Sequence, residues 1–123
     1  MMLDDETQNA AVKSTMEIII NAGDARAFIA AALDNVGDFD YDSAKANMEK
    51  ANDKLVIAHR LQTQKLQTEA EGEDVAYSVL FTHAQDTLMT IMSEYNLTKK
   101  LITVFEKRDQ QLNQTKEAHD ETK

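Results

Sequence analysis

The chain has no cysteine and no proline, and only three glycines in 123 residues. Without cysteine it can form no disulfide, thiol nucleophile or Cys-ligated metal centre. Without proline, nothing forces a helix to break. Strand-rich folds need turn residues every ten residues or so, and Gly23, Gly37 and Gly72 cannot supply them. Long apolar runs are also missing. Residues 16–20 are interrupted by Glu17, and even the longest run, the seven apolar residues 27–33, falls far short of the roughly 20 apolar residues of a spanning helix. Basic residues are in deficit, and the net charge is −9. That argues against nucleic acid, whose phosphates require Lys and Arg, and against docking on an anionic membrane. It suits a protein that meets basic partners. The acidic start, Met1-Met2-Leu3-Asp4-Asp5-Glu6, is unlike a secretory signal. The expected location is therefore the cytoplasm.

What remains is rich in good helix formers: Ala, Leu, Met, Glu, Lys and Gln. The reading is a single all-α domain over residues 1–123, with a core at about 7–111 and a polar tail at 112–123. The glycines punctuate three helices. The first runs from Thr7 to Asn35 and ends at Gly37, a natural C-terminal glycine. Asp38 can cap the second, with Asp40 and Asp42 favourable in its first turn. That helix continues to Ala70. Gly72 marks the next break, and Asp74 stands at the start of a third helix reaching Gln111. The remaining tail reads as frayed.

At 100° per residue the second helix shows one apolar stripe: Ala44, Met48, Ala51, Leu55, Ala58, Leu66 and Ala70, interrupted by His59 and Gln62. The first helix shows two. One is Val12, Met16, Ile19, Gly23, Ala27 and Ala30; the other is Ile18, Ala22, Ala25, Ile29, Ala32 and Val36. Gly23 costs about 1 kcal/mol in a helix interior, and close approach of another helix is the expected reason. The third helix is also two-faced. Phe81, Ala84, Leu88, Ile91, Met92 and Tyr95 lie on one side, and Val79, His83, Asp86, Thr90, Leu97 and Leu101 on the other. A three-helix monomer needs one buried stripe per helix. A second stripe implies a broad core or burial against other subunits, and we infer an oligomer.

His83 is the sharpest candidate for chemistry. Asp86, three residues on, shares its helix face. One reading is an interface histidine beside an acid. The other is a nucleophilic imidazole that takes a phosphoryl group directly. Asp86 either points to water or converges with its copies about a symmetry axis. Converging carboxylates would raise its pKa or recruit a hard cation such as Mg²⁺. A calcium loop at Asp38, Asp40, Asp42 and Glu49 is rejected, because Ser43 stands where that loop needs glycine. No Gly-rich phosphate loop is present, so direct use of ATP is not expected.

The sequence around His83 reads His83-Ala84-Gln85-Asp86-Thr87-Leu88-Met89-Thr90. It resembles the signature of the lactose/cellobiose-type enzyme IIA family of the phosphoenolpyruvate-dependent sugar phosphotransferase system. Three further segments resemble that family in the right order: Asn21-Ala22-Gly23-Asp24-Ala25-Arg26, Gly37-Asp38-Phe39, and Ala58-His59-Arg60-Leu61-Gln62-Thr63. The likeness covers about residues 15–105. It implies an antiparallel three-helix bundle subunit assembling into a homotrimer. It implies that His83 accepts phosphate from the phosphocarrier protein HPr and passes it to a cysteine of enzyme IIB, while enzyme IIC transports the sugar. It implies Asp86 as an axial ligand for a divalent cation, commonly Mg²⁺. Gln85, Thr87 and His59 are candidates for the phosphate surroundings, with His59 reading more as a packing residue. Thr87 departs from the family, which commonly has a second histidine there. Thr87 can donate a hydrogen bond but no positive charge. Two alternatives stay open: a non-catalytic helical regulatory or interaction protein on this scaffold, and a histidine phosphotransfer domain of two-component signalling.

Overall fold

A proline-free, alanine-rich chain has no reason to leave the helix except at its glycines and capping residues. The computed structural model describes residues 5–72 and 79–121. It contains three helices: α1 (Asp5–Gly37), α2 (Tyr41–Ala70) and α3 (Val79–Glu121). The expected helix start at Asp74 lies outside the described residues. The three helices form an antiparallel bundle, in which α1 and α3 run one way and α2 the other. Cross-bundle contacts fix the register. Lys65 Nζ on α2 donates to Thr15 Oγ1 on α1 and lies 4.4 Å from the centre of the Phe81 ring on α3. At the other end Tyr41 Oη donates to Asp109 Oδ2, and Lys45 pairs with Glu106.

The core decides between the two stripes of α1. Ile18, Ala22, Ala25, Ile29, Ala32 and Val36 are buried. The other stripe is turned out: Val12, Met16, Gly23, Ala27 and Ala30 are exposed, and only Ile19 is half-buried. Among the described residues no other helix approaches Gly23, where an added Cβ would meet nothing within 4 Å. The expected close approach is therefore absent within the subunit. On α2, Ala44, Met48, Ala51, Leu55 and Ala58 are buried as expected, but Leu66 and Ala70 are exposed. Gln62 takes the next core position instead, at 8% exposure. His59 does not interrupt the stripe, because it sits outside it in solvent. On α3, Phe81, Ala84, Leu88, Ile91, Thr98 and Ile102 face the core. That helix runs on to Glu121, beyond the expected end near Gln111.

The turn between α1 and α2 also differs from expectation. Gly37 remains helical, and Phe39 takes the left-handed position, with φ 61°. Phe39 N–H donates to Val36 O at 3.0 Å, and Asp40 N–H to Asn35 O at 2.9 Å. Those two bonds satisfy carbonyls at the helix end in the manner of a Schellman cap. The cap of α2 is Asp40 rather than Asp38: its side chain accepts from Ser43 N–H at 3.1 Å. The Ser43 side chain, and then this backbone bond, lower the Asp40 carboxyl pKa from its ordinary value. Gly72, at φ 82°, follows α2 as the expected break.

A left-handed conformation costs a residue with a Cβ about 1 kcal/mol or more. The Phe39 side chain is 72% exposed and recovers little of that by packing. Phe39→Gly is therefore expected to stabilise the fold by about 1 kcal/mol. A shift of the urea midpoint to higher concentration would show it, and an unchanged or lowered midpoint would refute it.

Candidate functional site

The core-facing side of α3 determines what its other side presents. With Phe81, Ala84, Leu88 and Ile91 turned inward, His83 and Asp86 are turned outward, and both are exposed. Gln85 and Thr87, on either side of that line, are half-buried. Thr90 Oγ1 donates to Asp86 O at 2.8 Å, one turn further on. The helix backbone thus carries the imidazole and the carboxylate on one rigid face. Val79, Leu97 and Leu101 continue that face and are exposed as well.

The outward stripe of α1 adjoins it. Arg26 forms a two-pronged ion pair with Glu94, at 3.0 and 2.9 Å. Glu94 stands 11 residues after His83, which is three helical turns and the same side of α3. α1 therefore flanks α3 on the His83 side. Lys65 touches both Thr15 and Phe81, so the His83 turn is level with the Thr15–Met16 turn of α1. The exposed imidazole is thus on the side of α3 nearer α1, whose outward stripe carries the exposed Val12 and Met16. An exposed nitrogen nucleophile can react with a group delivered by another protein. A small-molecule enzyme would need a cavity here.

His59 is not part of this face. It lines a groove of about 390 Å³ between α2 and α3, together with Asn52, Val56, Arg60, Tyr95 and Asn96. His83, Gln85, Asp86 and Thr87 do not line that groove. Within one subunit the structure therefore groups His83, Asp86, Gln85 and Thr87 along one stretch of α3 and leaves His59 apart. Among the described residues no three His, Asp or Glu side chains gather as a metal site, so one subunit offers Asp86 alone. The Arg26–Glu94 pair was not legible in the sequence. Its partners are 68 residues apart, and only the bundle register joins them.

The family described as the lactose/cellobiose-specific IIA subunit of the phosphotransferase system matches residues 13–106. The chain belongs to this family. The lactose-specific EIIA component of Staphylococcus epidermidis is 43% identical over 91 residues, covering 74% of this chain and 88% of the relative. That of Streptococcus mutans is 40% identical over 91 residues, with the same coverage. The cellobiose-specific enzyme IIA of Bacillus anthracis superposes with a TM-score of 0.76 at 32% identity, over 88% of this chain and 94% of that one. A chitobiose-specific IIA solved in complex with HPr superposes at 0.71 and 34% identity, over 79% and 94%. This IIA-family chain is thus a phosphocarrier component of a sugar phosphotransferase system. None of its helices is long and apolar enough to cross a membrane, among the described residues.

Because a Cβ at Gly23 would meet nothing within 4 Å among the described residues, a methyl group there costs no space. Gly23→Ala is expected to stabilise the dilute subunit by about 0.5–1 kcal/mol through reduced backbone entropy of the unfolded chain. Denaturation at the lowest practical concentration tests this. A loss of stability under those conditions would contradict the open surroundings described.

Proposed function

We propose that His83 is the phosphoryl acceptor of this IIA-family protein, taking the group from phosphorylated HPr and passing it to a cysteine of an enzyme IIB partner. The observation that carries this reading is the exposed His83 imidazole, held outward by the buried Phe81, Ala84 and Leu88 behind it. In the first transfer a ring nitrogen of His83 attacks phosphorus as the bond to the HPr nitrogen breaks. In the second, the cysteine sulfur attacks and the His83 nitrogen leaves. Such transfers need alignment and charge stabilisation more than covalent help from the protein. HPr as donor is supported by the structural likeness to a IIA component solved with HPr. The protein acts in the cytoplasm and reaches the membrane indirectly, through IIB bound to the transporting enzyme IIC. The sugar class is a β-linked disaccharide, in keeping with relatives specific for lactose and cellobiose.

The functional unit in this reading is a homotrimer. The exposed Leu97 and Leu101 of α3 and the outward stripe of α1 give it an apolar interface. Three copies of α3 about an axis bring three Asp86 carboxylates together, a set of oxygen ligands that fits a hard cation such as Mg²⁺. The cation would neutralise the cluster. Gln85 and Thr87, two and four residues after His83 on α3, act in this reading as hydrogen-bonding groups toward phosphate. Thr87 supplies a hydroxyl where relatives commonly have a histidine, which favours slow transfer. A non-catalytic scaffold is the second reading, and Thr87 is the observation behind it.

Incubation with phosphoenolpyruvate, enzyme I and HPr should add one phosphoryl group per chain by intact mass, and His83→Ala should add none. Labelling that survives His83→Ala would overturn the assignment. Unlabelled wild-type protein that still forms trimers would favour the scaffold reading. For the cation, wild-type protein should carry a divalent ion that Asp86→Leu loses, while light scattering still reports three chains. Metal-free wild-type protein would remove Asp86 from that role.

A further inference from the structure

A phosphoryl group brings about two negative charges near neutral pH, and its transfer depends on charge stabilisation. The stretch of α3 that carries His83 offers no fixed positive charge for this. From Val79 to Thr98 the helix has no Lys or Arg, and Asp86 and Glu94 make it acidic. Lys99 comes sixteen residues after His83, about 24 Å along the axis. Gln85 and Thr87 are uncharged.

A cation does reach this end of the bundle from another helix. Lys65 of α2 donates through Nζ to Thr15 Oγ1 at 3.1 Å, and the same Nζ lies 4.4 Å from the centre of the Phe81 ring, two residues before His83. Arg26 and Lys45 also reach α3, but each is ion-paired there, to Glu94 and to Glu106. Lys65 pairs with no carboxylate among the described residues. It is half-buried, and burial lowers its pKa. A cation withdrawn from water without a counter-ion lowers stability. An apolar side chain between Thr15 and Phe81 would avoid that loss. The chain has 22 acidic residues, yet none of those described stands beside this ammonium.

The place of Lys65 supplies the reason. The ammonium sits where the Thr15 turn of α1 meets the first turn of α3, and α1 flanks α3 on the His83 side. A charge partly withdrawn from water is screened less than one on a mobile surface side chain. We propose that Lys65 is the fixed positive charge of the phosphoryl site, acting through space from behind the first turn of α3 to stabilise the phosphorylated form of His83. The inference rests on His83 being the phosphoryl acceptor. Lys65 touches no reacting atom. The unphosphorylated subunit leaves it without a counter-charge, and the phosphoryl group provides one.

The test is the equilibrium of the phosphoryl group between HPr and this protein, read by intact mass after phospho-HPr is mixed with the full chain. Lys65→Met keeps an unbranched, flexible side chain without the charge. It should lower the equilibrium constant for phosphorylation several-fold, while the urea midpoint stays the same or rises. The Thr15 hydroxyl keeps its bond to Ala11 O, so the change strands no donor. Lys13→Met removes an equal charge from the exposed side of α1, about 160° from Thr15 on the helix wheel, and should leave the equilibrium nearly unchanged. A wild-type equilibrium in Lys65→Met overturns the inference and leaves His83 standing as the acceptor. So does a Lys65→Met protein whose urea midpoint falls along with its equilibrium constant, which marks a packing role, or an equal loss in Lys13→Met. Wild-type protein that gains no phosphoryl group, or His83→Ala protein that still gains one, overturns both.

Discussion

The packing of α1 against α2 through alanines is the constraint from which the rest of this structure follows. Ala22, Ala25 and Ala32 of α1 and Ala44, Ala51 and Ala58 of α2 are all fully buried. Small side chains let two helices approach closely, and the contact is more extensive than either helix makes with α3. The larger Ile18, Ile29, Met48 and Leu55 fill the space beside that seam. Once it forms, α1 has spent one of its two apolar stripes, and the other must face outward.

The orientation of α3 follows from the same packing. Leu88 and Ile91 are fully buried against the α1–α2 pair, and Phe81 nearly so. A helix buried along that line presents the opposite line to the outside, and His83 and Asp86 are on it. Exposure of the candidate nucleophile is thus a consequence of core packing. A carrier whose donor and acceptor are both proteins needs such an exposed group, since each partner must reach the same atom in turn. The groove between α2 and α3, with His59 and Arg60 in its lining, is separate from His83 within one subunit. The acidic surface matches the same role, for it favours basic partner faces and suppresses unspecific association.

Polar groups within the bundle carry a cost that the apolar stripes offset. Gln62 is buried with its Oε1 unpartnered, and an unmade hydrogen bond of that kind costs roughly 1–3 kcal/mol. Thr15 is more economical: its hydroxyl donates to Ala11 O at 2.9 Å and accepts from Lys65. Burial lowers the Lys65 pKa, while the Thr15 hydroxyl and the Phe81 ring supply contacts for the ammonium. These groups sit at the His83 end of the bundle and tie all three helices together there.

The sequence by itself determined the helical class, the number of helices, the breaks near Gly37 and Gly72, and the face of α3 that holds His83. Each of these depends on local composition or on the 3.6-residue period, both of which are written along the chain. The four segments around Gly23, Gly37, His59 and His83 likewise pointed to the family that the comparisons establish. Tertiary structure alone decided which stripe of α1 is core, because the two are equally apolar and only the fit to α2 separates them. It placed Gln62 inside and Leu66 outside, since bundle register outweighs hydrophobicity at a helix end. It moved the left-handed residue from Gly37 to Phe39 and the cap from Asp38 to Asp40, because the geometry of the turn outweighs residue preference. It also joined Arg26 to Glu94, a contact between residues distant in the chain that no local pattern encodes.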